Sequence, residues 1–342
     1  MRLRWFIVAL VAVLVFVPAA AWAHSPQYPA GNHSLETAFQ IKDAAKSWAI
    51  YTTLEHPDKG DYYRFTVSRG DKIQISLITP DRPSSSGFMP SFVLLIPGSI
   101  QNDKVPAYIE VPAGYGAKVV AGSNPEKAVY EPFSPAWFYE LANLTMNVPT
   151  DGTYYLAVFD DDHKTGNYGL AVGYIEEFTA LEWVMIPYNV HITYIWEGQN
   201  LFVTLLPIIL VLIIGGIIFY WRNRKGMAPK DASRWLAAFA GLMFIGSALS
   251  IIYQMVLAFS ITGVSGEAVF TLLFVATSIV LGIIVLLYAV RHKTVLTLWR
   301  RVALIAIGVM ALFVWSGLYL GPALAVLAAV VPPYAIRKRA IK

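Results

Sequence analysis

A β-sandwich or jelly-roll ectodomain followed by an α-helical transmembrane bundle is the fold this sequence predicts. Three observations carry the prediction. Short runs of alternating apolar and polar residues fill the chain up to about Glu177. Uncharged apolar stretches of about 20 residues, the length that spans a bilayer as a helix, recur after Asn200. The charge also changes sign between the two parts: His24 to Asn200 holds 20 acidic and 11 basic residues, whereas beyond Asn200 13 Lys and Arg stand against only Asp231 and Glu267. The formal charge of +4 over the whole chain therefore reflects membrane topology, and an acidic exported part makes nucleic acid an unsuitable partner. A chain that is 56% hydrophobic and 14% charged is not a disordered one. The absence of cysteine removes disulfides, thiolate metal sites and a cysteine nucleophile together.

Residues 1–23 read as a secretory signal peptide: Arg2 and Arg4, an apolar run from Trp5 to Val17, then Ala21-Trp22-Ala23 as the small-x-small cleavage site. The mature chain then begins at His24. An extracytoplasmic β domain is expected over 24–176. Tyr63, Phe65 and Val67 alternate with polar neighbours, Arg69-Gly70-Asp71 turns the chain, and Ile73, Ile75 and Leu77 alternate again, which reads as a hairpin with one buried face. Phe92 to Ile96 is a core run, and strands follow the turns at Asp151-Gly152 and Gly166-Asn167.

The segments Asn32-His33-Ser34-Leu35-Glu36-Thr37-Ala38, Gly60-Asp61-Tyr62-Tyr63-Arg64-Phe65-Thr66-Val67, Gly70-Asp71-Lys72-Ile73, Gly152-Thr153-Tyr154-Tyr155-Leu156 and Gly166-Asn167-Tyr168 resemble the bacterial pre-peptidase C-terminal domain family over about residues 30–175. The resemblance implies a β-sandwich of the kind appended to secreted proteases and other surface proteins, where it binds ligands or assists folding and is not itself catalytic.

Residues 177–200 form an aromatic interfacial segment (Trp183, Tyr188, Tyr194, Trp196) expected to be a helix broken near Pro187. Five spans follow, at 201–221, 235–259, 269–290, 302–318 and 320–335, the last two being a hairpin divided at Gly321-Pro322. Five spans place the basic clusters at 222–234, 291–301 and 337–342 on the cytoplasmic side, with 337–342 as a basic tail; four spans, the alternative, leave that tail outside. No ionisable residue lies within the spans, which speaks against ion-coupled transport. Gly246 and Ser250 have the small-xxx-small spacing of close helix contact, and Gln254 is the one large amide within a span.

No nucleophile elbow, His-Glu-x-x-His helix or phosphate-cradling glycine loop is present, so a non-catalytic role is expected. The chain reads as a multi-pass protein of the plasma membrane with its ectodomain outside and its C-terminus in the cytoplasm. Its sandwich is expected to bind a surface ligand or partner protein, as an accessory or sensing component, through aromatic loop residues Phe88, Met89, Tyr115, Phe133 and Trp137. The alternative is a metal-dependent surface protein. There the amine and imidazole of a mature N-terminal His24 hold copper with His33, His56 or His163, or the run Asp160-Asp161-Asp162-His163 binds calcium, although ordinary solvated turns account for the same residues. A transporter or channel component is the remaining alternative.

Overall fold

Period-2 alternation becomes strands β1 (Ser25–Gln27), β2 (Phe39–Gln40), β3 (Trp48–Leu54), β4 (Asp61–Val67), β5 (Lys72–Thr79), β6 (Ser91–Pro97), β7 (Tyr115–Val120), β8 (Val129–Glu131), β9 (Ala136–Asn147), β10 (Gly152–Phe159) and β11 (Gly166–Val172). The computed structural model describes residues 24–224, 232–291 and 297–331. The signal segment 1–23, the middle of the first two basic clusters and the tail 337–342 lie outside the described residues. The strands make two mixed sheets, one ordered β1-β3-β11-β5-β9-β8 and the other β2-β4-β10-β6-β7. Edge strands β1 and β2 run parallel to β3 and β4, and the remaining pairs are antiparallel. Ile50, Leu77 and Leu170 of the first sheet meet Phe65, Leu94 and Leu156 of the second in one core, all fully buried. Each such side chain contributes about 1.5–3 kcal/mol by leaving water.

The hairpin expected across Arg69-Gly70-Asp71 is not one. β4 pairs with β10 and β2, whereas β5 pairs with β11 and β9, so the turn carries the chain from one sheet to the other. The alternation was a true sign of one buried face, but the two faces meet across the core instead of lying side by side. The crossing is held by its own hydrogen bonds: Ser68 N–H donates to Asp71 Oδ2 (2.8 Å), Arg69 N–H to Asp151 Oδ1 (2.7 Å) and Gly70 N–H to the Val148 carbonyl (2.8 Å). Gly70 sits at φ 93°, which a side chain would strain.

Helix α1 (Ala180–Trp196) follows the β region and runs through Pro187, so the expected break does not occur. Proline deletes one backbone N–H from the ladder, while both ends of α1 are anchored elsewhere. At its start Thr179 and Glu182 form a reciprocal capping box (3.2 and 2.7 Å), and Lys46 Nζ reaches Glu182 at 2.7 and 2.9 Å. At its end Trp196 Nε1 donates to the Thr52 carbonyl (2.8 Å) and Asn167 Nδ2 to the Trp196 carbonyl.

The helical region comprises α2 (Leu201–Arg224), α3 (Ala232–Thr262), α4 (Ala268–Arg291), α5 (Leu298–Phe313) and α6 (Leu320–Val330). Three of them, over Leu201–Arg222, Ala232–Thr262 and Ala268–Val290, are long and apolar enough to cross a membrane. α3 is the central helix, with 61% of its apolar window buried against 17% for α2. Gly246 lets α2 approach α3: a Cβ there would stand 2.9 Å from Ile208 Cα. One turn on, Ser250 Oγ donates to the Thr204 carbonyl (2.8 Å). α5 and α6 are joined at residues 314–319, where Trp315, Gly317 and Leu318 have positive φ. The break therefore precedes Gly321-Pro322, which lie in the first turn of α6, where proline's missing N–H is not needed.

Candidate functional site

Two struts join the β region to the bundle. The tip between β8 and β9 inserts into α3 and α4: Phe133 stacks on Phe270 at 6.1 Å between ring centres, Tyr130 packs on Phe259 at 5.0 Å, and Thr271 Oγ1 bonds both the Tyr130 hydroxyl (2.7 Å) and the Pro132 carbonyl (2.6 Å). The second strut is α1. Trp183 packs on Trp315 (5.0 Å), Tyr319 OH donates to the Val184 carbonyl (2.9 Å), and Gln254 Nε2 donates to Gln199 Oε1 (2.8 Å) just beyond the helix.

Between the struts and the outer face of the six-stranded sheet lies a cavity of about 260 Å³. Its floor is deep because the sheet presents small residues there: Ala49, Ser76, Gly169 and Ala171. Trp137 and Glu131 wall one side, Trp196, Glu197 and Thr193 another, and His24 closes an end. The rings are fixed by their edges, with Trp137 Nε1 donating to the Pro80 carbonyl (3.1 Å) and Trp196 packed against Tyr51 at 4.9 Å. A smaller chamber of about 70 Å³ adjoins it, sharing His24, Tyr51, Glu131 and Thr193 with it, and a further chamber of about 60 Å³ shares Phe133, Ile186, Val190 and Trp315 with that one but no lining residue with the main cavity. The chamber of about 60 Å³ is lined by Gln254, which is fully buried and whose Oε1 has no hydrogen-bond partner among the described residues.

The lining carries Glu131, Glu140 and Glu197 and, among the described residues, no Lys or Arg. Glu131 accepts the Phe133 N–H (3.0 Å), Glu197 accepts Gln199 Nε2 (3.1 Å), and the second oxygen of each accepts nothing among the described residues. Burial first, then the charges of Glu267 and Glu176, push the half-buried Glu131 carboxyl up to about 7. Burial first, then Glu131, push the Glu197 carboxyl up to about 8. His24 keeps exposed surface as a residue, but its ring packs inward with Nδ1 on Ser47 Oγ, and desolvation lowers its pKa. The arrangement can hold a positively charged or hydrogen-bond-donating group.

The residues expected from sequence disperse. Trp137 lines the main cavity, and Phe133 lines the two smaller chambers while seated in the bundle. Phe88 is a core residue at 2% exposure, Met89 beside it is 40% exposed, and Tyr115 lies half-buried on β7 with its hydroxyl on the Thr153 carbonyl (3.0 Å). Glu131 and Glu197 were not singled out, and Trp196 was read only as an aromatic of the interfacial segment. The signal for them is an acidic residue beside aromatic, proline or glycine neighbours at the approach to the membrane, as in Tyr130-Glu131-Pro132-Phe133 and Trp196-Glu197-Gly198.

The metal candidates are placed as follows. His33 and His56 meet edge to face at 4.7 Å, with His33 Nδ1 on Asp61 Oδ1 (2.8 Å). Asp61 also accepts the Tyr168 hydroxyl (2.7 Å) within the core, and burial raises its pKa. Asp160 is buried and accepts three backbone N–H groups, from Asp162, Lys164 and Met89, each at 3.0 Å. Its oxygens are thereby committed to shaping the crossing from β10 to β11. His163 sits in that crossing at φ 54°, its ring 5.0 Å from Tyr108. Among the described residues no three His, Asp or Glu gather as a metal would require.

Among solved structures, a neighbour is the pre-peptidase C-terminal domain of a collagenase from Bacillus anthracis, 23% identical, covering 39% of this chain and 91% of that one with a TM-score of 0.24. Another is MopE, a secreted protein of Methylococcus capsulatus in which an oxidised tryptophan facilitates copper binding; it is 13% identical and covers 34% of this chain and 70% of that one, with a TM-score of 0.17. At these scores neither neighbour informs the chemistry of this chain. No protein-family model matches the chain, and no curated protein does.

Proposed function

We propose that this is a cell-surface membrane protein whose exported β-sandwich binds a ligand or partner and whose five-span bundle anchors it, with the ectodomain outside, the C-terminus cytoplasmic and no catalytic role. The observation that carries the reading is the cavity at the junction, enclosed by the sheet, the β8–β9 tip and α1 at once. Both movable walls of that cavity are also the struts that grip the bundle, so occupancy and the docking of the two regions are energetically linked. That linkage supports a sensing or accessory role over passive anchoring. The uncharged spans support a bundle that anchors and packs.

Ala171 on the cavity floor provides the test. Ala171→Leu adds bulk to the cavity from β11, which belongs to neither strut. In lipid nanodiscs, a ligand or partner that raises the melting temperature of the full-length protein should fail to do so with Ala171→Leu. Equal stabilisation of both proteins by every binder found would place recognition elsewhere and overturn the reading.

A further inference from the structure

We propose that the junction cavity is the binding site for an organic ammonium ion, held between the carboxylates of Glu131 and Glu197 and the rings of Trp137 and Trp196. This rests on the reading of the cavity as a ligand site and names the chemistry of what enters it.

Two independent features converge on that class. The first is charge without a counter-charge. Carboxylates enter the lining from β8, from β9 and from the residue after α1, and no described Lys or Arg accompanies them. Paired carboxylates inside a protein normally have a cation between them, because desolvating an unpaired charge is costly. Here one oxygen of each strut glutamate accepts no hydrogen bond from the described residues and is open to a ligand. The second feature is aromatic. Two indoles line the same space, and each is fixed through its N–H to a backbone carbonyl, Trp137 to Pro80 and Trp196 to Thr52. With their polar edges engaged, and Trp196 also meeting Tyr51 at 4.9 Å, the indoles bring π-surface to the lining, and such surface attracts ammonium groups.

A bare divalent metal ion fits less well, since no three ligating side chains converge among the described residues. An ammonium group asks only for diffuse negative potential, ring faces and a space of this size. The charge state of the site follows from the same geometry. The titratable groups beside the two glutamates are His24, Tyr51 and Glu140 in the shared lining together with Tyr130 and Tyr194, and Glu176 and Glu267 also act on Glu131. Repulsion among the carboxylates and desolvation hold Glu131 and Glu197 partly protonated near neutrality. An arriving cation favours their ionised forms, so binding should release protons and tighten as pH rises from about 6 to about 9.

The ammonium group could reach the cavity as a free amine or as a phospholipid headgroup, and the experiment separates the two. Full-length protein in nanodiscs of phosphatidylglycerol, which carries no amine, is titrated calorimetrically with choline, ethanolamine and 3,3-dimethylbutanol, the uncharged isostere of choline. Choline or ethanolamine should bind, and the alcohol at least about tenfold more weakly. Glu131→Gln and Glu197→Gln should each weaken amine binding by about tenfold or more while leaving the melting temperature unchanged or higher, since each removes a desolvated charge. Repeating the titration in nanodiscs containing phosphatidylethanolamine or phosphatidylcholine tells whether lipid already fills the site: a lost amine signal there assigns the headgroup. Equal binding of the alcohol, unaltered affinity in both glutamine variants, or binding of calcium or copper with no amine bound would each overturn the proposal. Ala171→Leu keeps the two claims apart. If it abolishes binding of an uncharged ligand, the cavity stands and the ammonium class falls. If it leaves amine binding unchanged, the cavity itself is the wrong site.

Discussion

In the β region large aromatic side chains are fully buried: Tyr62, Tyr63, Tyr154, Tyr168, Phe65 and Phe92 have almost no exposed surface. In the bundle the pattern inverts. Alanine makes up half of the main helical core cluster, whereas only Ala44 and Ala142 belong to the larger β core. The large apolar residues of the helices face out instead, with Phe202 62%, Ile214 56% and Trp221 63% exposed. The two regions follow one rule in two solvents. Water drives bulk inward, so a β core gains from every aromatic ring it hides. Lipid is as apolar as leucine and exerts no such drive, so the bundle gains from small residues that let helices touch. The cavity sits where the two regimes meet.

Substitutions that reverse each rule sharpen the contrast. The largest effect should come from Phe65→Ala in the β core, a loss of about 3–5 kcal/mol, read from the thermal transition of the β region by near-ultraviolet circular dichroism. Next is Gly246→Leu, which adds bulk where a Cβ already meets Ile208 Cα at 2.9 Å; overpacking of this kind costs about 1–3 kcal/mol, read as earlier unfolding of the helices in nanodiscs. Ile214→Ala removes as much apolar surface as a core truncation does, but from the outer face of α2, and should cost less than about 1 kcal/mol. A loss from Ile214→Ala as large as that from Phe65→Ala would break the comparison, because it would put Ile214 in a tightly packed core.

The smallest effect is on pH dependence. Glu131 and Glu197 have folded pKa values of about 7 and about 8, above the value of about 4.3 for an unfolded glutamate, so the folded state holds their protons more tightly. The stability this lends is complete below the unfolded value and is lost as pH rises through the folded ones. The melting temperature of the native protein should therefore fall between about pH 5 and pH 8, and Glu131→Gln with Glu197→Gln should flatten that fall. An unchanged slope in the double variant would assign the pH dependence to other groups.

What could be read in the sequence, and what could not, follows the same division. Alternation at Tyr63, Phe65 and Val67 reported a buried face, and the run Phe92–Ile96 reported a strand buried on both sides; both are local properties. Whether β4 pairs with β5 is not local, because a four-residue turn serves a hairpin and a crossing between sheets equally well. The apolar stretches were legible through composition, yet the break between α5 and α6 was misplaced, because proline in the first turn of a helix looks the same in sequence as proline ending one. The cavity was least legible. Its walls come from His24, Glu131 and Glu197, brought together only when α1 and the β8–β9 tip dock, and no spacing rule connects them. Trp137 was singled out as an aromatic on an extended loop, and its place in the lining depends on that docking.

The contrast between the two solvents can be read directly, because the chain has no cysteine and every introduced thiol is unique. Thr66→Cys and Ile214→Cys both place a thiol on an exposed position, one on the β region and one on α2. In nanodiscs, a charged, water-soluble maleimide should label Thr66→Cys rapidly and leave Ile214→Cys unlabelled, with Ile214→Cys becoming reactive once the protein is unfolded in detergent and denaturant. Labelling of Ile214→Cys in the nanodisc at the rate of Thr66→Cys would put the outer face of the bundle in water and contradict the membrane-embedded reading.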